Sequence, residues 1–382
     1  MRRSNLSRSL NKRLKLFIVH PTMGQGGADR VTLTLLQTLD RHLFDLSLIL
    51  MRKEGEFLSD LPRDVKVHCL DASSTWTAWM PLIRLLRRHR PDIVLSIASA
   101  TNIAAAIAHK LARQTGRLVI SERNILFHSQ LTTKRRLVVW LKRVLYHQAD
   151  GITAVSQCLK DDMVAKLGLR PERISVVYNP VVDDNMRRLA LEPVDHPWFR
   201  EDIPIILGAG RLVPQKDFVT LIRAFKRVRE FGDARLVILG EGPLRKELLA
   251  FVKARGLEDD VWLPGFDKNP FKYMARCTLF VLSSKHEGFS NVLIQAMSCG
   301  APVISTDCPC GSSEIIAESG VDGILVPVGD VNTLAEQMQY LLDDPEVRRL
   351  MGDKARQSAE RFRVDTIVKN YALAMSGNHS GT

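Results

Sequence analysis

An alternation that runs twice along the chain restricts its fold more than any other feature. Short apolar runs lie at residues 16–20, 46–50, 93–97, 118–121, 151–155 and 174–178. Between them, apolar residues recur at helical spacing over 28–39, 82–90, 103–112, 134–147 and 157–167. Short buried strands separated by helices make βαβ units, because parallel neighbours need a crossover connection. At 183–202 the pattern lapses, with Pro193, Pro197 and several acids, and this stretch is expected to be a linker. The pattern then restarts. Strands are expected at 205–209, 235–240, 261–263, 279–282, 302–305 and 323–326, and helices at 217–230, 244–255, 270–276, 291–299, 332–342, 345–360 and 364–375.

A chain of 382 residues exceeds the usual size of one hydrophobic core. The expected organisation is α/β, with two doubly wound domains over 1–190 and 200–362. A last helix within 363–382 is free to return to the first domain. Two such sheets facing across a cleft would bind ligands beyond the carboxyl ends of their strands.

Charge is unevenly divided. Residues 1–195 carry 31 Lys and Arg against 18 Asp and Glu, whereas residues 196–382 carry 23 against 24. A partner that needs positive charge therefore meets the first domain. The leader holds Arg2, Arg3, Arg8, Lys12, Arg13 and Lys15, with no acid and no apolar core of a secretory signal. No apolar run reaches the length of a membrane span. The expected location is cytoplasmic, peripheral on the inner face of the plasma membrane. Helix 134–147 opens with KRRLVVWLKR, and Arg84, Arg87, Arg88 and Arg90 add to the basic stripe. Cations interleaved with Val, Leu and Trp suit an anionic membrane surface, and a solvated helix face is the plainer alternative.

Cys69, Cys158, Cys277, Cys299, Cys308 and Cys310 show no zinc spacing, and Cys308-Pro-Cys310 is too short for a redox CxxC. Reduced thiols are the simplest expectation.

Three motifs carry chemistry. The segment HEGFSNVLIQAMSCGAPVI, residues 286–304, places Glu287 on the loop after strand 279–282. Ser290 or Asn291 can cap the next helix, whose free N–H groups form an anion site suited to diphosphate. Asn291 and Gln295 share one helical face. The segment GAGRLVPQKD, residues 208–217, places Gly210 and Arg211 after strand 205–209 and Lys216 at the next helix start. Two cations converging there suit a leaving group that gains negative charge. The segment GQGGADR, residues 24–30, follows the first strand and lets a ligand approach the backbone at Gly26 and Gly27. It lacks the third glycine of a dinucleotide fingerprint, because Asp29 stands there.

The 286–304 segment resembles the signature of family 4 retaining glycosyltransferases of the GT-B fold, of the kind that build lipopolysaccharide core and other surface glycans. The resemblance covers nearly the whole chain and is strongest over 208–314. It implies that Glu287 contacts the transferred sugar and that position 295 holds the ribose. The family has Glu there; this chain has Gln295, which can still hydrogen-bond but brings no charge. Arg211 and Lys216 match the family's diphosphate-binding pair. Glu241, Phe266, Gly288, Phe289 and Val292 join the donor site by the same resemblance. Many relatives have a His after the strand at 118–121. This chain has Glu122, Arg123 and Asn124, read as acceptor contacts. His109 reads as an ordinary helix residue.

The resemblance implies hexose or N-acetylhexosamine transfer from a nucleotide diphosphate sugar, with UDP expected by family frequency. The expected acceptor is lipid-linked or a lipopolysaccharide or other surface glycan. No cofactor or metal is expected, and no Asp-x-Asp motif is present. An epimerase of the same fold would need acid/base residues from the first domain, and no convincing set is visible. A nucleic-acid-binding protein would fit the pI of about 9.6. However, no aromatics interleave with a basic sheet face, so nucleic acid is not an expected partner. Gln295 leaves a non-catalytic relative open.

Overall fold

The computed structural model describes residues 13–113, 116–125 and 133–377. The leader up to residue 12 and the side chains of Lys134 and Arg135 lie outside the described residues. The chain divides into two compact units, each built on one parallel sheet.

The first unit holds β1 (Leu14–His20), β2 (Phe44–Leu50), β3 (Lys66–Cys69), β4 (Ile93–Ser96), β5 (Arg117–Glu122), β6 (Gly151–Ala154) and β7 (Ile174–Val176). Its helices are α1 (Gly27–Thr38), α2 (Thr75–His89), α3 (Ser99–Leu111), α4 (Thr133–Tyr146) and α5 (Gln157–Leu167). The strand order is β3-β2-β1-β4-β5-β6-β7. β4 to β6 are almost wholly buried, as expected of a parallel sheet covered on both faces.

The second unit holds β8 (Ile205–Ala209), β9 (Arg235–Leu239), β10 (Val261–Gly265), β11 (Leu279–Leu282), β12 (Val303–Thr306) and β13 (Ile324–Val326), ordered β10-β9-β8-β11-β12-β13. Its helices are α6 (Asp184–Ala190), α7 (Phe218–Val228), α8 (Arg245–Lys253), α9 (Phe271–Met274), α10 (Asn291–Ser298), α11 (Ser312–Ile315), α12 (Val331–Asp343) and α13 (Pro345–Ala359). Helix α7 turns Leu221, Ile222 and Phe225 into the core beneath β8 and β9.

In both sheets the order reverses beside the first strand, β1 in one and β8 in the other. Loops leave the carboxyl ends of neighbouring strands in opposite directions at such a point, which is where these folds receive ligands.

Four details depart from the expectations. The stretch 183–202 is not a bare linker. Asp183 accepts a hydrogen bond from Met186 N at 2.6 Å and caps α6, which buries Met186 and Ala190. The stretch belongs to the second unit, which takes up the chain from Tyr178 rather than from residue 200. Helix α2 starts at Thr75, seven residues before the expected start, with Pro81 inside it. Proline is favoured at helix starts, which draws the expectation towards residue 82, yet buried Ala78 fixes an earlier turn. Strand β3 went unread because it is an edge strand with little apolar alternation, paired only with β2.

From Ile367 the last helix, α14 (Val364–Ser376), belongs to the first unit. There Arg117 Nε donates to Met375 O at 3.0 Å, and Arg123 Nη2 donates to the buried Tyr371 hydroxyl at 2.6 Å. Among the described residues, no helix is long and apolar enough to cross a membrane.

Candidate active site

The second unit gathers the strongest motifs at the carboxyl ends of β8, β9 and β11. Gly210 follows β8 and Gly240 follows β9, and the two backbones touch. A Cβ on Gly240 would stand 2.0 Å from Gly210 O, so no other residue fits there. Gly240 also has φ +132, a region that favours glycine. Gly210 in turn lies under the Lys216 side chain, where a Cβ would come within 3.1 Å of Lys216 Cε.

Lys216 ends a short 3-10 turn, Pro214–Lys216. That turn is interlocked with the loop after β11. Ser283 Oγ donates to Lys216 O at 2.9 Å, Lys285 N to Gln215 O at 2.8 Å, and Gln215 Nε2 to His286 O at 2.8 Å. These bonds hold Lys216 Nζ 2.5 Å from Glu287 Oε1. The Glu287 side chain is 8% exposed and the Lys216 side chain 15%. Ser284 Oγ donates to the same oxygen at 2.6 Å.

Helix α10 starts immediately beyond this pair. Ser290 is its N-cap residue, but its buried hydroxyl has no hydrogen-bond partner among the described residues. A buried unpaired hydroxyl is costly unless something reaches it. Asn179 Nδ2 donates to Asn291 Oδ1 at 2.5 Å, and Gln295 is buried one turn further on. Gly288 and Val292 are half-buried between these groups. The Phe289 ring is occupied, stacked on Tyr178 at 5.2 Å and edge-on to Phe362 at 5.4 Å. Its side chain therefore anchors the loop, and only its backbone is left for a ligand.

Arg211 is exposed, one residue past Gly210, and its side chain makes no hydrogen bond or ion pair among the described residues. Glu241 follows Gly240 and lies 3.4 Å from Arg245 Nη1. Its carboxylate also closes on the Gly265 position, next to half-buried Phe266. Among the described residues, no three His, Cys, Asp or Glu side chains gather as a group that could hold a metal ion.

Glu314, beyond the signature segment, accepts Gln157 N at 2.9 Å and Cys158 N at 2.8 Å. Residues Ser156–Cys158 consequently group with the second unit. Here the expectation of reduced thiols is corrected: Cys158 and Cys310 form a disulfide, their Cα atoms 5.2 Å apart. The two are 152 residues apart in sequence, a pairing that no local spacing discloses. Cys69, Cys277, Cys299 and Cys308 are free.

In the first unit, Gly26 N donates to Asp29 Oδ2 at 2.8 Å, and Gly27 opens α1. Asp29 Oδ1 lies 2.8 Å from Nε2 of buried His20. The turn is thus tied to the end of β1 as well as to its own helix.

Glu122 ends β5 and is completely buried. Its oxygens accept from Lys142 Nζ at 2.6 Å, Tyr146 OH at 2.7 Å, Arg123 N at 3.1 Å, and Ser99 Oγ. Burial pushes this carboxyl up, but the Lys142 charge and the hydrogen bonds outweigh it, leaving it below its ordinary value. Burial and then the Glu122 charge push the Tyr146 hydroxyl well above its own. The reading of Glu122 as an acceptor contact is corrected accordingly: this carboxylate works inside the fold. Arg123 is turned to Tyr371, and Asn124 is exposed. His109 bonds to Gly116 O at 2.7 Å, as an ordinary helix residue can.

Two Rossmann-like parallel sheets, one ending in a lysine–glutamate pair beside a helix N-terminus, define the GT-B class of glycosyltransferases. Two family models match: one described as Glycosyltransferase Family 4 over residues 25–185, and one as Glycosyl transferases group 1 over residues 196–358. The chain is 33% identical, over 91% of its length and 95% of the relative, to the N-acetylgalactosamine-N,N'-diacetylbacillosaminyl-diphospho-undecaprenol 4-alpha-N-acetylgalactosaminyltransferase of Campylobacter jejuni. It is 26% identical to the amylovoran biosynthesis glycosyltransferase AmsD of Erwinia amylovora, over 93% of this chain and 97% of that one. Among solved structures, Anabaena HepE in complex with UDP and glucose has the same fold. It aligns with a TM-score of 0.80 and 22% identity, over 95% of this chain and 100% of that one. The chain belongs to glycosyltransferase family 4.

Proposed function

We propose that the protein is a retaining enzyme that moves a hexose or N-acetylhexosamine from a UDP sugar to a lipid-linked or surface-glycan acceptor. The observation that carries this reading is the Lys216–Glu287 pair, 2.5 Å apart beside the start of α10. In it, Lys216, the exposed Arg211 and the α10 N–H groups hold the diphosphate, with the helix dipole favouring the anion. Glu287 holds a hydroxyl of the sugar, and Gln295 the ribose. The Campylobacter relative acts on a diphospho-undecaprenol glycan by name, and HepE was solved with UDP and glucose. Both support the choice of substrates.

The proposed chemistry is a front-face displacement. The bond from the anomeric carbon to the diphosphate oxygen breaks, and the acceptor oxygen bonds to that carbon on the same face. The acceptor proton passes to the departing diphosphate, whose developing charge Lys216 and Arg211 stabilise. No metal is assigned a step. Arg123 and Asn124 remain the acceptor-side residues of this reading.

The enzyme works at an anionic membrane. Helix α4 exposes Leu137, Trp140 and Val144 along one face, flanked by exposed Arg136 and Arg143, while Leu145 and Tyr146 are buried. An apolar face with Trp and a cationic border matches an anionic lipid surface.

The test is a panel of UDP and GDP sugars, with and without chelator, reading nucleoside diphosphate release and the anomeric configuration of the product. Turnover of a UDP sugar with retention, undiminished by chelator, is expected. Lys216→Ala and Arg211→Ala should each lose about 100- to 1,000-fold in kcat, the scale of removing one transition-state donor. Near-normal turnover in both variants would defeat the assignment.

A further inference from the structure

We infer that Ser284 is a positioning residue for the Glu287 carboxylate, which it holds by one oxygen so that the other is left for the donor sugar. The inference rests on the sugar-binding role proposed for Glu287.

Glu287 Oε1 receives two donors, Lys216 Nζ at 2.5 Å and Ser284 Oγ at 2.6 Å. Glu287 Oε2 receives none among the described residues. Two donors on one oxygen fix the carboxylate's rotation, and the other oxygen keeps its full capacity to accept from a sugar hydroxyl.

The two donors are not equivalent. Lys216 carries the charge that the proposed chemistry directs to the diphosphate, so donor binding draws its ammonium between two anions. Ser284 is neutral and fully buried, and Glu287 is the sole acceptor of its hydroxyl among the described residues. When the diphosphate engages Lys216, Ser284 is the contact that stays with Glu287.

Ser284 is itself braced. Thr306 Oγ1, at the end of the neighbouring strand β12, donates to Ser284 O at 2.6 Å. The serine is thereby fixed to the sheet, and through it the carboxylate of a loop residue is too. Residues held this way keep a reacting group within the narrow geometry that turnover requires.

The experiment compares Ser284→Ala, Ser284→Cys, Glu287→Ala and the double variant S284A/E287A. UDP affinity is read by calorimetry, thermal unfolding by calorimetric scan, and kcat and KM with the UDP sugar turned over in the donor panel. Ser284→Ala should lose about 10- to 100-fold in kcat, the scale of one hydrogen bond to a charged group. Its UDP affinity should stay within about twofold, since UDP carries no sugar for Glu287 to hold. Ser284→Cys, with a weak S–H donor, should recover part of the loss. On the Glu287→Ala background, Ser284→Ala should cost nothing further, because the two act through one contact.

Wild-type kcat in Ser284→Ala, alongside a crippled Glu287→Ala, overturns the positioning role and leaves the reading of Glu287 standing. Equal losses of UDP affinity, stability and kcat in Ser284→Ala also overturn it, in favour of a merely structural serine. Normal turnover in Glu287→Ala removes the parent reading, and the role of Ser284 with it.

Discussion

Each unit holds a buried lysine–glutamate pair, Glu122 at the end of β5 with Lys142 on α4 in one and Glu287 after β11 with Lys216 after β8 in the other, and the two pairs differ in what they leave open. Glu122 and Lys142 are sealed, with side chains 0% and 3% exposed, and both oxygens of Glu122 are occupied. Glu287 and Lys216 are nearly as buried, yet both of their donors fall on one oxygen. The residue types and their burial are alike. The distribution of donors separates a pair that closes the fold from one that can receive a ligand.

The comparison can be broken most directly at Lys142. Lys142→Met leaves Glu122 as an uncompensated buried charge and should destabilise the protein by about 3–5 kcal/mol, measured by denaturant unfolding. Lys216→Ala should cost less stability than Lys142→Met, because Glu287 keeps the Ser284 donor and is slightly more exposed, while turnover collapses. If the two variants exchange phenotypes, the comparison is wrong. Acid titration sharpens it. The folded Glu122 carboxyl lies below its ordinary value of 4.5, so its contribution is complete above that pH and is lost as pH falls through the folded pKa. Without Lys142, burial pushes the carboxyl up instead, so the folded variant takes up a proton more readily than the unfolded chain, and its stability deficit relative to the native protein should shrink as pH falls, measured by denaturant unfolding at stepped pH.

A smaller effect is expected at the disulfide. Cys158→Ser should cost about 2–4 kcal/mol in thermal stability, and adding reductant to the native protein should lower the melting temperature in the same direction. The smallest concerns the outer face of α4, whose inner face carries Lys142 and Tyr146. Trp140→Glu should weaken binding to anionic vesicles by about tenfold in a flotation assay, with stability unchanged. Equal binding of the two proteins would return α4 to an ordinary solvated helix.

The fold was legible because parallel strands write themselves as continuous apolar runs, so all but β3 stand out in the sequence. What misled was local chemistry that competes with periodicity. The prolines and acids of 183–202 read as a linker, although Asp183 uses its acidity to cap α6. The meeting of Lys216 and Glu287 beside a helix start was legible because 208–217 and 286–295 each follow a strand and carry a cation or an acid. Ser284 was passed over because a serine near a strand end is commonplace, and only the distance to Glu287 gives it meaning. Glu122 was read as a contact because exposure cannot be told from residue type. The Cys158–Cys310 link was hidden by its sequence separation alone.

The route of the backbone has a practical consequence for anyone dissecting the enzyme. The chain leaves the first unit at Ser156, returns at Leu159, leaves again at Tyr178 and comes back at Ile367. Cutting it near residue 190 strips the first sheet of Tyr371 and Met375, the acceptors for Arg123 and Arg117. The same cut deprives the second sheet of Cys158, Tyr178 and Asn179. Fragments that follow the apparent gene halves will therefore misbehave for reasons unrelated to catalysis, and point variants in the intact polypeptide are the sounder instrument.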